Sequence, residues 1–300
     1  MSLPNASKCW AASRFPLSRV TTFRIGGPAE LAARPRCAAD AADLVRWAGD
    51  EGLPVRCVGM GSNLLVDDRG IRGLVLLLRG LDGVHVDGHR VTVGAGVTNS
   101  RILGEVRARG LGGLQCLVGY PGTVGGAVRM NAGGAPGYVG SRVERVRGVD
   151  AAGRIVERPA SECGFRYRGS DLADLVVTEV DLLLEEADPE EFALECHAIF
   201  ARKRDTQPLE LPSAGCVWKN PPGAVAGRLV DMAGCKGLRE GDAEVSDRHA
   251  NFVVNRGKAT ASDVRRLMAE VRRRVLDRFG VLLEPEVIEW SDGGGEGGGR

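Results

Sequence analysis

Forty-three of the 300 residues are glycine, and two glycine-rich segments constrain the fold more than any other feature. They are Gly59-Met60-Gly61-Ser62-Asn63-Leu64-Leu65-Val66 and Gly119-Tyr120-Pro121-Gly122-Thr123-Val124-Gly125-Gly126-Ala127. Glycine is favoured where the backbone turns sharply or where another group comes as close as a Cβ would stand. The first segment follows the apolar run 55–58, and the second is read the same way, as a loop beside an apolar strand. A chain with such junctions is built from short strands and tight connections.

Hydrophobic periodicity fills in the rest. It predicts a helix over 38–52, with Ala41, Leu44, Val45 and Ala48 on one face, and a second over 100–109 closed by Gly110. Short strands are expected over 55–58, 74–78 and 91–93, and a β-rich stretch over 143–184. An amphipathic helix over 189–204 precedes a linker over 208–212. Near the end, a strand over 252–254 is followed by a helix over 261–279. Its core face carries Val264, Leu267, Met268, Val271, Val275 and Leu276, and Arg272-Arg273-Arg274 forms a solvated face. This pattern is α+β or α/β, and periodicity alone does not choose between them.

Composition removes whole classes of function. Lys plus Arg is 40 against 39 for Asp plus Glu, without the basic excess of a nucleic-acid binder. No run approaches the ~18 apolar residues of a membrane span. The first twenty residues lack the apolar stretch of a signal peptide, although the absence of acids before Glu30 also fits an organelle transit peptide. None of the eight cysteines stands in C-x-x-C spacing, so no zinc site is expected. Reduced thiols in the cytoplasm are expected instead of disulfides. The tail over 291–300 is expected to be disordered.

Backbone N–H groups in glycine loops can converge on a phosphate, with Ser62, Asn63 and Thr123 adding side-chain donors. Neither loop is a familiar fingerprint. Gly59-Met60-Gly61 has Leu64 where the dinucleotide pattern needs a third glycine, and no P-loop, nucleophile elbow or zinc-protease motif occurs. Spacing therefore supports a diphosphate ligand without naming it.

Further segments carry a resemblance. They are Thr21-Thr22-Phe23-Arg24-Ile25-Gly26-Gly27, Met130-Asn131-Ala132-Gly133, Phe165-Arg166-Tyr167-Arg168-Gly169-Ser170, Ser213-Ala214-Gly215-Cys216-Val217-Trp218-Lys219-Asn220-Pro221, His249-Ala250-Asn251-Phe252-Val253-Val254-Asn255 and Leu283-Glu284-Pro285-Glu286-Val287. With the two glycine loops, and in this order over about 20–290, the chain resembles the UDP-N-acetylenolpyruvoylglucosamine reductase family. Its spacing is that of the branch without an extra substrate-capping loop.

The resemblance implies an α+β chain. An FAD-binding fold of the vanillyl-alcohol-oxidase type, in two subdomains over 20–207, follows an N-terminal extension over 1–19. A C-terminal α+β substrate domain covers 208–290. It also implies noncovalent FAD, NADPH as hydride source, and a UDP-sugar enolpyruvyl ether as substrate. A monomer in the cytoplasm, acting on small molecules, is expected. Carried over residue by residue, the cofactor positions are Gly59, Gly61, Ser62, Asn63, Leu64, Leu65, Gly119, Pro121, Gly122, Thr123, Gly125, Gly126, Ala127, Asn131 and Gly133.

Arg168 matches the family's charge-stabilising arginine and Glu286 its catalytic glutamate. Tyr167, Lys219 and Asn220 match substrate-contacting positions. His249 and Asn251 are expected either at the same pocket or in its framework. Cys216 is the main departure, because the family usually carries serine there as the proton donor. A thiol, with an ordinary pKa of about 8.5, is the stronger acid of the two, and Cys216 is expected to donate. Gln115 stands where a glutamate is common. The competing readings are another FAD-dependent oxidoreductase of the same fold and a non-catalytic nucleotide-binding relative.

Overall fold

A computed structural model describes residues 9–292. The first eight residues of the N-terminal extension and residues 293–300 of the glycine-rich tail lie outside the described residues. The chain divides into two compact units. The first comprises Met1–Arg14, Glu30–Met60 and Arg72–Ala201, and the second Phe15–Ala29, Gly61–Ile71 and Arg202–Arg300.

Besides two two-stranded sheets, the first unit carries two larger ones. One orders its strands as Trp10–Pro16, Pro28–Arg34, Ile71–Leu77 and Val55–Val58, with Val55–Val58 running parallel to Leu74–Leu77. The other is antiparallel and five-stranded, in the order Ile155–Pro159, Val143–Val149, Val176–Leu183, Arg90–Gly94 and Val84–Asp87. Helix α1 (Ala38–Asp50) begins where the Cys37 side chain accepts from the Asp40 N–H. It buries Ala41, Leu44, Val45 and Ala48 among Val146, Val149 and Leu74, as its periodicity predicts. Helix α2 (Asn99–Arg107) is capped by Thr98, which accepts from the Arg101 N–H. Helix α3 (Val124–Arg129) is short and buries Val124, Gly125, Ala127 and Val128. The segment before it is a 3-10 turn, Gln115–Leu117, not the expected strand. Helix α4 (Pro189–Thr206) buries only Phe192, and its Leu194 is 70% exposed. Its inner face meets the core of the first unit only through Phe192 and the half-buried Cys196.

The second unit holds a four-stranded antiparallel sheet ordered Ser213–Cys216, Phe252–Asn255, Ala243–Val245 and Arg239–Glu240. Helices α5 (Ala226–Met232) and α6 (Ala261–Phe279) share its core. Helix α6 starts on a capping box formed by Thr260 and Asp263 and ends at Gly280, which takes the left-handed conformation. Val264, Leu267, Met268, Val271 and Val275 are buried as expected, whereas Leu276 is exposed. It is next in sequence to Val275 and so turned about 100° away from it.

One correction to the sequence reading bears on the site. Leu64–Val66 is a strand, not loop, because it pairs in parallel with Ile288–Trp290, Leu64 opposite Ile288. Leu65 is fully buried in the core of this unit with Phe23 and Ile25.

Candidate active site

The glycines of the first unit serve two different purposes. A Cβ on Gly59 would stand 2.2 Å from Thr123 Oγ1, one on Gly125 2.6 Å from Ala95 Cβ, and one on Gly133 2.1 Å from the Gly137 carbonyl oxygen. These three are glycine because protein already fills the space, and the first brings the two glycine loops into contact. Gly126 differs. It is exposed, and a Cβ there would meet only Thr123 Oγ1, at 3.6 Å. The Val124 and Gly125 N–H groups donate to the Val97 and Ala95 carbonyls. The Gly126 N–H has no acceptor among the described residues, as the first turn of a helix allows. Thr123 is buried against Gly59 and does not reach outward.

The Arg168 segment is a tight hairpin in which Arg166 and Gly169 exchange both backbone bonds, at 2.9 and 3.2 Å. Tyr167 and Arg168 form its tip. Arg168 has φ of +57°, a conformation that non-glycine residues adopt rarely and that clusters at functional sites. Its guanidinium donates to the Gly133 carbonyl at 2.8 Å and lies 5.2 Å from the Tyr167 ring centroid, within range of a cation–π contact. Tyr120 donates to the same Gly133 oxygen at 3.2 Å. Asn131, itself at φ +43°, donates to the Arg166 carbonyl at 3.1 Å and accepts from the Gly140 N–H at 2.9 Å. Within the unit, Asn131 and Gly133 therefore hold the Arg168 hairpin.

Cys216, Lys219, Asn220 and Glu286 all belong to the second unit. The strand Ser213–Cys216 meets Phe252–Asn255 with Ser213 opposite Val254 and Cys216 opposite Phe252. Three steps on one strand thus oppose two on the other. Gly215, at φ +75°, takes up the extra residue as a β-bulge, which re-aims the side chain that follows it. Beyond Cys216 the chain runs between two partners. On one side the Glu286 N–H donates to the Val217 carbonyl at 2.7 Å and the Lys219 N–H to the Glu284 carbonyl at 2.9 Å. On the other, Val217 N–H donates to the Asn251 carbonyl at 2.8 Å. Asn63 Nδ2 donates to the Glu286 carbonyl at 3.0 Å, tying the first glycine segment to the same strand. Lys219 Nζ lies 3.7 Å from Glu284 in an exposed pair. Asn220 Oδ1 accepts from the Ala226 N–H at 2.9 Å, fixing the turn into α5.

His249 is half-buried, and burial pushes its pKa below the ordinary value of 6.5. Its Nδ1 accepts from the Asn251 N–H at 3.3 Å, so the neutral ring carries its proton on Nε2. Burial raises the thiols of Cys57, Cys163, Cys196 and Cys235 above their ordinary value, which keeps these four protonated and inert. The expectation had left His249 and Asn251 between pocket and framework. Asn251, 4% exposed, is spent on protein bonds. Its importance was legible only as part of the His249–Asn255 motif, because a clamp between distant segments leaves no periodic signal.

Two family models match the chain. Residues 29–158 match the FAD binding domain, and residues 207–290 match the C-terminal domain of UDP-N-acetylenolpyruvoylglucosamine reductase. The reductase of Symbiobacterium thermophilum is 45% identical over 92% of this chain and 90% of its own length. This chain belongs to the UDP-N-acetylenolpyruvoylglucosamine reductase family. The reductase of Moorella thermoacetica is 44% identical over 93% of this chain and 92% of its own length. The solved reductase from Thermus caldophilus superposes with a TM-score of 0.81 at 37% identity, covering 95% of this chain and 99% of that one. The 6-hydroxy-D-nicotine oxidase of Arthrobacter nicotinovorans, at 21% identity and a TM-score of 0.52, shares the fold alone. The fold is therefore an FAD-binding domain of the vanillyl-alcohol-oxidase type followed by the reductase C-terminal domain.

The glycine loops fit FAD. Gly126 leaves open space and an unspent N–H at the start of α3, where backbone donors and the helix dipole favour an anion. The Gly59 and Pro121–Ala127 segments are packed into one platform through Thr123.

Proposed function

We propose that this chain reduces the enolpyruvyl ether of UDP-N-acetylglucosamine to UDP-N-acetylmuramate, a peptidoglycan precursor, at the expense of NADPH. The observation that carries the reading is the joining of 216–220 to 284–286 in the second unit by the Glu286–Val217 and Lys219–Glu284 backbone bonds. A candidate acid, a cation, an amide and a carboxylate are thereby held on adjacent stretches of backbone.

The loops around Gly59, Ser62, Asn63, Gly122 and Gly126 would hold FAD, which would supply hydride-transfer chemistry between NADPH and the substrate. The substrate gains that hydride at its terminal carbon and a proton at the neighbouring one, and the carbon–carbon double bond becomes single. Negative charge develops next to the substrate carboxylate. The Arg168 guanidinium, stiffened by Gly133 and Tyr167, suits a carboxylate through paired N–H bonds. Cys216 gives the proton, and Glu286 supports that transfer. Lys219 and Asn220 orient the UDP-sugar. In this reading residues 20–207 hold FAD and 208–290 take the substrate, and the protein works as a cytoplasmic monomer without nucleic acid. No helix among the described residues is long and apolar enough to cross a membrane.

The test is NADPH oxidation that depends on the enolpyruvyl substrate, together with the visible spectrum of the purified protein. A colourless protein that FAD cannot reconstitute rules out the flavoenzyme reading. Cys216→Ala is expected to slow reoxidation of the reduced flavin by substrate about 100-fold or more. An unchanged rate removes Cys216 as the donor.

A further inference from the structure

Pairing between Ser213–Cys216 and Phe252–Asn255 ends at Cys216 opposite Phe252, yet the backbone beyond is held as if the ladder continued. At Trp218 one side chain does this. Asn251 Oδ1 accepts from the Trp218 N–H at 2.9 Å, and Asn251 Nδ2 donates to the Trp218 carbonyl at 2.9 Å. The primary amide thus copies the donor and acceptor of one more strand residue. Both residues are buried, Asn251 at 4% and Trp218 at 3% exposure, so no water stands in for either bond.

The clamp sits at the point where the candidate acid and the candidate carboxylate share a scaffold. Cys216 is two residues before Trp218. The carbonyl of Val217 accepts from the Glu286 N–H, and Val217 N–H donates to the Asn251 carbonyl. Asn251 main chain and side chain together fix the segment to which Glu286 is bonded. The Asn251 N–H is in turn held by His249 Nδ1, and the Gly215 bulge on the other flank gives Cys216 its direction.

We propose that Asn251 is a positioning residue for proton delivery, setting Cys216 and Glu286 relative to one another through the Trp218 backbone. The proposal rests on the reductase reading above. It demands an amide: the site needs one acceptor and one donor on the same planar group, which Asn provides and a carboxylate does not.

Asn251→Asp keeps the size and the acceptor but loses the donor while ionised. At neutral pH this variant is expected to slow reoxidation of reduced flavin by the enolpyruvyl substrate more than tenfold, with a smaller effect on flavin reduction by NADPH. Acid restores the donor, because the protonated carboxyl can again give a hydrogen bond to the Trp218 carbonyl. Burial raises the pKa of such a carboxyl, which brings the recovery into an accessible range. The titratable groups flanking the clamp are His249, Cys216 and Glu286, so the variant-to-wild-type ratio at each pH is the quantity to read. The ratio is expected to rise toward one as pH falls from 8 to 5.5. A loss shared equally by both half-reactions, or a ratio independent of pH, overturns the proposal. If substitution prevents folding, amide hydrogen exchange in the unaltered protein decides. Strong protection of the Trp218 N–H supports the clamp, and exchange as fast as in an open loop overturns it. An unaltered protein that never turns over the enolpyruvyl substrate defeats the reductase reading instead, a separate outcome.

Discussion

At the scale of single residues, the two neighbouring glycines of α3 separate packing from ligand approach. Gly125→Ala places a methyl 2.6 Å from Ala95 Cβ, an overpacking that costs about 1–3 kcal/mol. The apoprotein should melt lower. Gly126→Ala meets nothing nearer than 3.6 Å and removes glycine's helix penalty, worth about 0.5–1 kcal/mol. Its apoprotein should be as stable as wild type or slightly more so, while FAD binds about tenfold more weakly, a difference readable by titrating the apoprotein with FAD. The sequence alone shows two adjacent glycines in a motif. Which one faces a ligand depends on where Ala95 comes to lie, and that is a tertiary fact. The same holds for Asn131, whose place in the motif was plain but whose bonds to Arg166 and Gly140 belong to segments 9 to 35 residues away.

At the scale of elements, the sheet of the second unit and the turn leading into it carry two ionisable groups that both lose stability in acid, but in different pH windows. His249 is held neutral by burial. Its folded pKa lies below 6.5, so the unfolded chain binds the proton first and stability falls as pH drops through about 6.5. Glu244, buried beneath Arg256 and Arg239, has its pKa lowered from 4.5, first by its bond to Arg256. Its contribution is complete above that value and is lost only in stronger acid. Thermal melts should show a fall between pH 7 and 5.5 that His249→Asn flattens, with Glu244 untouched in that window.

Elements with strong local signals were legible. Helix α6 occupies 261–279 as its period and caps dictate, and the strand Val55–Val58 was read to the residue. The strands Leu64–Val66, Ala243–Val245 and Ile288–Trp290 were missed. Three residues are too few for a period, and the first and last exist because they pair with each other across the chain. Helix α4 had a helical pattern of which only Phe192 became fully buried, a degree of burial that no sequence period reveals.

At the scale of the molecule, the chain leaves and re-enters the second unit. Its core holds Phe23, Ile25 and Leu65 as well as the residues after 202. A fragment spanning 208–290 has the strands and both helices of that sheet but lacks these apolar residues and the strand that Ile288–Trp290 pairs with. It is expected to show no cooperative thermal transition, whereas one supplemented with 15–29 and 61–71 through linkers should regain it. Circular dichroism melts of the two constructions decide. The linear order of motifs suggested two consecutive domains; interleaving is invisible to motif order, because each motif keeps its place along the chain whichever core it joins.

The parallel pair between Leu64–Val66 and Ile288–Trp290 has a consequence for birth on the ribosome. Leu64 is translated 224 residues before its partner Ile288. At about 5–20 residues per second, the early strand waits on the order of ten to forty-five seconds for its partner, with Leu65 lacking the core that will cover it. The nascent second unit therefore stays incomplete for that interval, exposing a strand edge that a holding chaperone would be suited to shield.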